Sequence, residues 1–456
     1  MIKYSTEVTY EASDIFDDEI KSAFLIPVVH HADQIDFWSP FDSELELRMK
    51  AVVYNKINYV QTVISSVVVG CRHTVDINRK LVSDRAAAAL FEMERFPDQS
   101  GVNRFLGRHD YKSIEQIRDV HFINLRQHGR LSEVEGRIIV DLDGTPLVAN
   151  GQTYERTAKG YFPERGDKGY QVSLAYCHTT DEAWDLYLDP GNYHCTYRFM
   201  DLMDSVLGHI GRERAKRDLW VRLDGGYGGA DNLAFLLDNV HRFVVGSPND
   251  KTAQAIVQQR GSALVWEQHP ENPDLAIADA GRHTLTHEET GIQARVRIIL
   301  LRYTQRDGTV KYLHLATNIS KRRMSALEIH DFYQGRQTVE KYIDQGKNAL
   351  FMRNLRSRRF YASYAFLLYA MMAGNLINWT KHGPLAHTAF AEASLRAIIH
   401  HWMAIPARIK RVGSQLIVEL PRLDLIVQRF LKSLQSQRLQ LPLPGFEQFV
   451  PDFVQN

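Results

Sequence analysis

Only three cysteines occur among the 456 residues, Cys71, Cys177 and Cys195. An odd, sparse set without framework spacing excludes a disulfide scaffold and is what a reducing cytoplasm allows. No CxxC accompanies them, so the neighbours Cys177-His178 and His194-Cys195 read as buried structural residues rather than part of a zinc site. Neither sign of charge is in excess: 55 Lys and Arg face 54 Asp and Glu, a formal +1. That excludes binding to nucleic acid by bulk charge and leaves only local patches to consider. The opening residues lack the charged-then-apolar pattern of a secretory leader. Long apolar runs are also scarce. One stretch approaches a membrane span, Phe360–Trp379 behind RNLRSRR, but it carries Ser363, Asn375, Asn378 and three tyrosines. It is barely span length and reads as a buried core helix.

What remains is ordinary globular composition, 44% hydrophobic and 24% charged, in a chain long enough for two or three domains. The charge is unevenly spread. Acids crowd the first fifty residues (Asp14, Asp17, Asp18, Glu19, Glu44, Glu46), and basic clusters follow at 212–217, 321–323, 353–359 and 408–411. A nucleic-acid grip uses such patches, and a solvated charge run explains any one of them as well.

Residues 1–130 read as mostly helical. ELELRMKAVVYNKINYVQTVISSVVVG has the helical period and stops at Gly70. SDRAAAALFEMERF starts behind Ser83 or Asp84 as a cap, Pro97-Asp98-Gln99-Ser100 opens GVNRFLGR, and SIEQIRDVHFINLRQHG is a further helix. A helix-turn-helix reader of DNA and a plain bundle both fit. The period changes at Gly136. RIIVDLDGTPL is a β-branched strand with Ile139, Asp141 and Asp143 on one face and Ile138, Val140 and Leu142 on the other. Two carboxylates on one face are costly unless they bind a cation or meet donors. A Gly-rich loop, the strands YQVSLAYCHTT and WDLYLDPG, and the helix TYRFMDLMDSVLGHIGRERAK follow. The fourth strand, DLWVRLDGGYGG, presents Asp224 at its C-terminal end; ADNLAFLLDNV is a helix and RFVVGS a fifth strand. Residues 248–322 form a β-rich block, ALVWEQHP, HTLTHEE, ARVRIILLRYT and VKYLHLATN, with Arg306-Asp307-Gly308 turning the last pair.

The stretch YQGRQTVEKYIDQGK, Tyr333–Lys347, then predicts one helix. At about 100° per residue, Tyr333, Arg336, Glu340 and Lys347 share a stripe beside an apolar row of Phe332, Val339, Ile343 and Leu350. A surface helix with an ordinary salt-bridge stripe is the plain reading. The order β-β-β-α-β-α-β, β insertion, α is that of a ribonuclease-H-like core. There the acids of strands one and four, Asp143 and Asp224, meet the acid of the late helix, Glu340. Such a trio holds two Mg²⁺ ions about 4 Å apart for in-line attack at phosphorus.

Tyr333-x2-Arg336-x3-Glu340-x6-Lys347 resembles the Tyr-Arg-Glu-Lys signature of bacterial insertion-sequence DDE transposases, the insertion-sequence four superfamily. At ordinary residue frequencies a chance match is on the order of one in several hundred. Asp143-Gly144-Thr145 and Asp224-Gly225-Gly226-Tyr227 resemble its first- and second-acid motifs, and PDQSGVNRFL, LDPGNYH and AGNLINW resemble its 1380-type group. The likeness spans roughly residues 60–380.

The resemblance implies an α/β fold, a ribonuclease-H-like catalytic core interrupted by a β-rich insertion, with a helical N-terminal domain and a helical C-terminal region. The expected boundaries are 1–130 (helical, DNA-binding), 131–247 (core, first part), 248–322 (insertion), 323–382 (core, second part) and 383–456 (C-terminal region). It implies Mg²⁺-dependent cleavage of element ends and strand transfer into target DNA, with Mn²⁺ able to substitute. Asp143, Asp224 and Glu340 would be the catalytic metal ligands. Tyr333, Arg336 and Lys347 would contact DNA, and Trp266 would either stack on an unpaired base or sit in the insertion's own core. The partners would be double-stranded DNA, as terminal inverted repeats and target, and a second copy in the DNA complex. No membrane is involved, and the protein would lie on the cytoplasmic nucleoid. A catalytically silent or domesticated DNA-binding descendant is the alternative.

Two features depart from the pattern. Gly335 and Gly346 each cost the signature helix roughly 1 kcal/mol relative to Ala, and are expected to permit close packing on the sheet. Asp141 competes with Asp143 for the first acid. Asp143 is preferred because it directly precedes a small residue and Thr; Asp141 would then orient a metal-bound water from behind or act as a capping acid.

Overall fold

The computed structural model describes residues 19–49, 53–160, 162, 167–247, 250–412 and 415–436. Asp14, Asp17 and Asp18 of the acidic opening, the side chains of Cys195 and Arg411, and the last part of the C-terminal region lie outside the described set.

A ten-stranded sheet organises the chain. Its strands are β1 (Ile138–Val148), β2 (Lys168–Cys177), β3 (Glu182–Pro190), β4 (Leu219–Leu223), β5 (Arg242–Ser247), β6 (Trp266–His269), β7 (Asn272–Thr286), β8 (Gln293–Thr304) and β9 (Val310–Thr317), with the short pair Ala158–Lys159 on the start of β2. The spatial order is β3-β2-β1-β4-β5-β9-β8-β7-β6. β2 runs antiparallel to β1 and β3, whereas β4 is parallel to both β1 and β5.

The pleat of β1 is as its alternation predicts. Ile138, Val140 and Leu142 are fully buried in the main core, and Ile139 packs the opposite face against a smaller cluster around Trp220 and Val244. The strands of the 248–322 block continue this same sheet, because β9 pairs with β5 from His314 opposite Ser247 to Thr317 opposite Val244. β7 starts at Asn272, well before HTLTHEE, since β8 supplies it with partners from Tyr303 onward. Residues Asp250–Arg260 form a helix in a block that its sequence marks as strands.

Helices cover the sheet. Among them are α1 (Tyr111–His128), α2 (Phe199–Ile210), α3 (Ala230–Asn239), α4 (Ala326–Gln334), α5 (Gln337–Asn348) and α6 (Phe360–His382). The apolar helix α6 is buried along nearly its whole length. Phe37 meets its Trp379, Phe41 and Phe105 meet its Tyr369, and the His109 ring lies 3.0 Å from the Tyr369 hydroxyl. Each large apolar side chain so buried contributes about 1.5–3 kcal/mol. Its asparagines bind the sheet and the turn before β3: Asn375 exchanges hydrogen bonds with Ala183, and Asn378 donates to the Thr180 and Asp181 carbonyls.

Caps explain where the N-terminal helices begin. Asp84, Asp98 and Asp110 each accept a backbone N–H of the first turn, as the sequence suggests for the first two. The long helix expected to run up to Gly70 is shorter. It covers Lys56–Val68, because Asn55 forms a reciprocal capping box with Asn58. At the other end, Glu19–Ile20 pairs with Ala407–Val412, and Phe24 packs on Phe390, Trp402 and Phe430.

Candidate active site

Because β1 and β4 are parallel and paired from Ile138–Leu219 to Leu142–Leu223, the C-terminal end of β4 lies beside the middle of β1. Asp143 sits on β1 and Asp224 directly follows β4. Backbone amides orient both carboxylates: Asp143 accepts from Gly144 at 2.9 Å, and Asp224 accepts from Gly226 at 2.8 Å, opening the tight turn Gly225–Tyr227.

The helical stretch that faces these strands is not the single helix predicted from Tyr333 to Lys347. It breaks at Gly335–Arg336 into α4 and α5. The cause comes from the sheet. Arg222 of β4 donates to the Phe332 carbonyl at 3.1 Å, the acceptor an unbroken helix would offer to Arg336 N–H, and that N–H turns to Tyr333 O at 3.0 Å instead. A Cβ at Gly335 would collide with the Arg222 guanidinium, so glycine allows this approach to the sheet. Gly346 has a different neighbour, the Met352 sulfur, 3.1 Å from where a Cβ would stand.

Through the break, Arg336 points inward, its side chain only 11% exposed. Its Nη2 lies 3.0 Å from Asp143 Oδ1 and 3.8 Å from Asp224 Oδ2, and its Nη1 lies 2.7 Å from Glu340 Oε1. Three carboxylates, from the middle of β1, the end of β4 and one helix, thus converge on one cation. Tyr333 packs its hydroxyl onto Gly246 of β5, and Lys347 donates to the Thr145 hydroxyl, two residues beyond Asp143. Burial pushes the Asp143 carboxyl up to about 6; Arg336 and the Gly144 N–H oppose this, while Asp224 and Glu340 add to it. Burial likewise raises the Tyr333 phenol to about 12 and lowers the Lys347 ammonium. For Arg336 burial works against the charge, but Asp143 and its neighbours outweigh it and strengthen it as a cation.

The sequence matches the family model for the transposase DDE domain, group 1, over residues 34–441. The chain belongs to this transposase family. Among solved structures, the cryo-EM piggyBac transposase synaptic complex with hairpin DNA is similar over 84% of this chain and 80% of its own, at 11% identity and a TM-score of 0.45. No curated protein matches the sequence.

The other candidate residues of this DDE-family chain lie elsewhere. Asp141 is fully buried, and each of its oxygens accepts from Arg222 at 2.7 Å. Both oxygens are thereby committed to an internal pair, which is neither a cap nor an arm toward the acid cluster. Trp266, half-buried, holds its ring 4.7 Å from the Arg302 guanidinium and 6.0 Å from the Tyr312 ring; its ring contacts lie within the sheet's far strands. Part of the 353–359 basic cluster is internal as well, since buried Arg356 donates to Ser66 and to the Cys71 carbonyl. Cys177 is fully buried, and burial pushes its thiol up to about 12. Sequence reasoning missed Arg222. The signal was present: an arginine inside the apolar strand DLWVRLD needs a buried partner.

Proposed function

We propose that this chain is an active DDE transposase of the insertion-sequence four superfamily, 1380-type group, from a bacterial mobile element. Its substrates would be double-stranded DNA, the element's terminal inverted repeats and the target, handled by two copies of the chain on the nucleoid. The core is ribonuclease-H-like in this reading, supported by the strand order β3-β2-β1-β4-β5 with β2 alone reversed.

The observation that carries the proposal is the convergence of Asp143, Asp224 and Glu340 on the Arg336 guanidinium. A donor set that draws one cation from three separate elements fits divalent ions, since hard oxygen ligands suit Mg²⁺ and Mn²⁺. Asp143, Asp224 and Glu340 would hold them, and bound Mg²⁺ would supply activation of the attacking oxygen and neutralisation of the leaving one. The chain's own residues do the rest. The backbone amides of Gly144 and Gly226 fix the carboxylates in place. Arg336 balances their charge and competes with divalent ions for the same oxygens. Once released it faces a phosphate with a bidentate fork, and Lys347 offers a point charge beside Thr145, two residues further along β1.

The test is cleavage and joining of end-containing DNA by Asp143→Asn, Asp224→Asn and Glu340→Gln proteins. Each is expected to lose both reactions while retaining end binding. Wild-type nicking by any of them removes that residue from the site. Intact end binding without any activity in the unsubstituted protein would favour the silent descendant.

A further inference from the structure

Apart from the carboxylate cluster, a second group of side chains with metal-ligand chemistry joins two elements. His269 at the end of β6 meets His330 and Asp331 on α4, with one ligand atom from each lying within 4.8 Å of the others. Asp331 Oδ1 is 3.4 Å from His269 Nε2 and 3.3 Å from His330 Nδ1. Those separations are long for charge-assisted N–H···O bonds, which run about 2.7–2.9 Å. They equal the edge between two ligands of a tetrahedral ion with bonds of about 2.0–2.1 Å, an edge of about 3.3–3.4 Å. The two imidazoles stand 5.2 Å apart and 76° inclined, facing the same carboxylate from different sides. The His330 side chain is 5% exposed and that of Asp331 58%, so the group has a fixed inner ligand and an open outer one.

We propose that His269, His330 and Asp331 form a binding site for a zinc-class divalent ion, with water in the fourth position. Two imidazoles and one carboxylate suit such an ion better than Mg²⁺, which prefers oxygen throughout. Gln334, one turn along α4, places its amide 3.0 Å from His330 Nε2. With its carbonyl oxygen turned to that nitrogen it accepts the ring proton, leaving Nδ1 free for the ion. At His269 the proton moves from Nε2 to Nδ1. That nitrogen now accepts from Glu271 N–H at 3.2 Å, so the exposed Pro270–Glu271 turn must shift. No proton is gained or lost overall. The bound ion pins the β6–β7 hairpin to the helix that ends at the Gly335 break.

The experiment titrates Zn²⁺ into full-length wild-type protein and into His269→Ala, Asp331→Asn and Glu340→Gln, read by calorimetry and by the thermal midpoint. One equivalent is expected to bind wild type and Glu340→Gln and to raise their midpoints. His269→Ala and Asp331→Asn should bind it at least tenfold more weakly, with zinc-free midpoints near wild type. Equal binding by the two cluster variants overturns the site. So does a zinc response lost in Glu340→Gln, which would assign the ion to the carboxylate cluster. A third overturning result is a wild-type protein indifferent to zinc whose zinc-free midpoint falls in Asp331→Asn, the mark of a hydrogen-bonded latch. The proposed catalysis stands or falls separately, since it rests on other residues.

Discussion

Two aspartate–arginine pairs stand two residues apart on one face of β1, and they are built differently. Asp141 and Arg222 are 0% and 2% exposed and joined by two bonds of 2.7 Å, with the remaining arm of Arg222 on the Phe332 carbonyl. Asp143 shares a single oxygen with Arg336, whose other contacts are Glu340 and Asp224. Burial raises both carboxyls to about 6, so acidity does not separate them. The commitment of the partner does. Arg222 sits inside a strand with a partner on each of its three nitrogens, a closed arrangement. Arg336 sits at a helix break and is shared among three acids, an arrangement that another cation can enter.

The largest expected effect breaks this comparison through activity. Asp143→Asn should lower strand cleavage by at least about 10³-fold, some 4 kcal/mol of barrier, and leave the protein folded. Asp141→Asn should do the reverse. It strands a buried guanidinium and should cost about 3–5 kcal/mol in urea unfolding. If Asp141→Asn unfolds like wild type and loses cleavage, the roles of the two acids must be exchanged.

The pH dependence sharpens the same contrast. A folded-state value of about 6, above the ordinary 3.8, means that the ionised Asp143 opposes folding. Its favourable contribution is complete below the unfolded value and is lost as the pH rises through about 6. Asp143→Asn should therefore match wild-type stability near pH 4 and exceed it at pH 7, by up to about 3 kcal/mol at 1.36 kcal/mol per pKa unit. Asp141, raised to about 6 as well, should give Asp141→Asn a parallel rise over the same range, but from a level about 3–5 kcal/mol lower, because Arg222 loses its carboxylate partner. An Asp141→Asn protein as stable as Asp143→Asn near pH 4 would erase the distinction.

A smaller effect tests the break itself. Gly335→Ala puts a Cβ against the Arg222 guanidinium. Overpacking of this kind costs about 1–3 kcal/mol, and it should also reduce cleavage by moving Arg336 and Glu340 away from Asp143 and Asp224. Lowered stability with unchanged cleavage would show that the break is not what places Glu340.

These residues also show how far the sequence could be read. The alternation of Ile138 to Asp143 gave the pleat of β1, since that depends on neighbours in sequence. The spacing from Tyr333 to Lys347 picked residues that do meet neighbouring strands in turn, from Gly246 through Asp224 and Asp143 to Thr145. Their helix was misread, because the agent that breaks it is Arg222, 110 residues upstream. Local propensity carries no trace of such a contact. The pairing of β9 with β5 was hidden for the same reason: a strand's periodicity shows its buried face and not its partner.

The smallest expected effect concerns the two cations of the signature. Lys347 is partly buried, and its ammonium is lowered by that burial, yet its hydrogen-bond partner is the neutral Thr145 hydroxyl. Asp143 and Asp344 act on it only through space. Such a cation is available to a phosphate at all times. Arg336 is available only when something else takes its acids. Each phosphate contact contributes about 0.9 to the slope of log affinity against log salt for duplex DNA. Lys347→Ala should therefore flatten that slope by about one unit whether or not divalent ions are present. Arg336→Ala should flatten it only when Ca²⁺, a non-catalytic substitute, occupies the acids, and should leave it unchanged in chelator. The bland alternative is that both cations only brace the fold. It predicts lower thermal midpoints and an unaltered slope for both variants in both buffers, and that result would remove them from the DNA path.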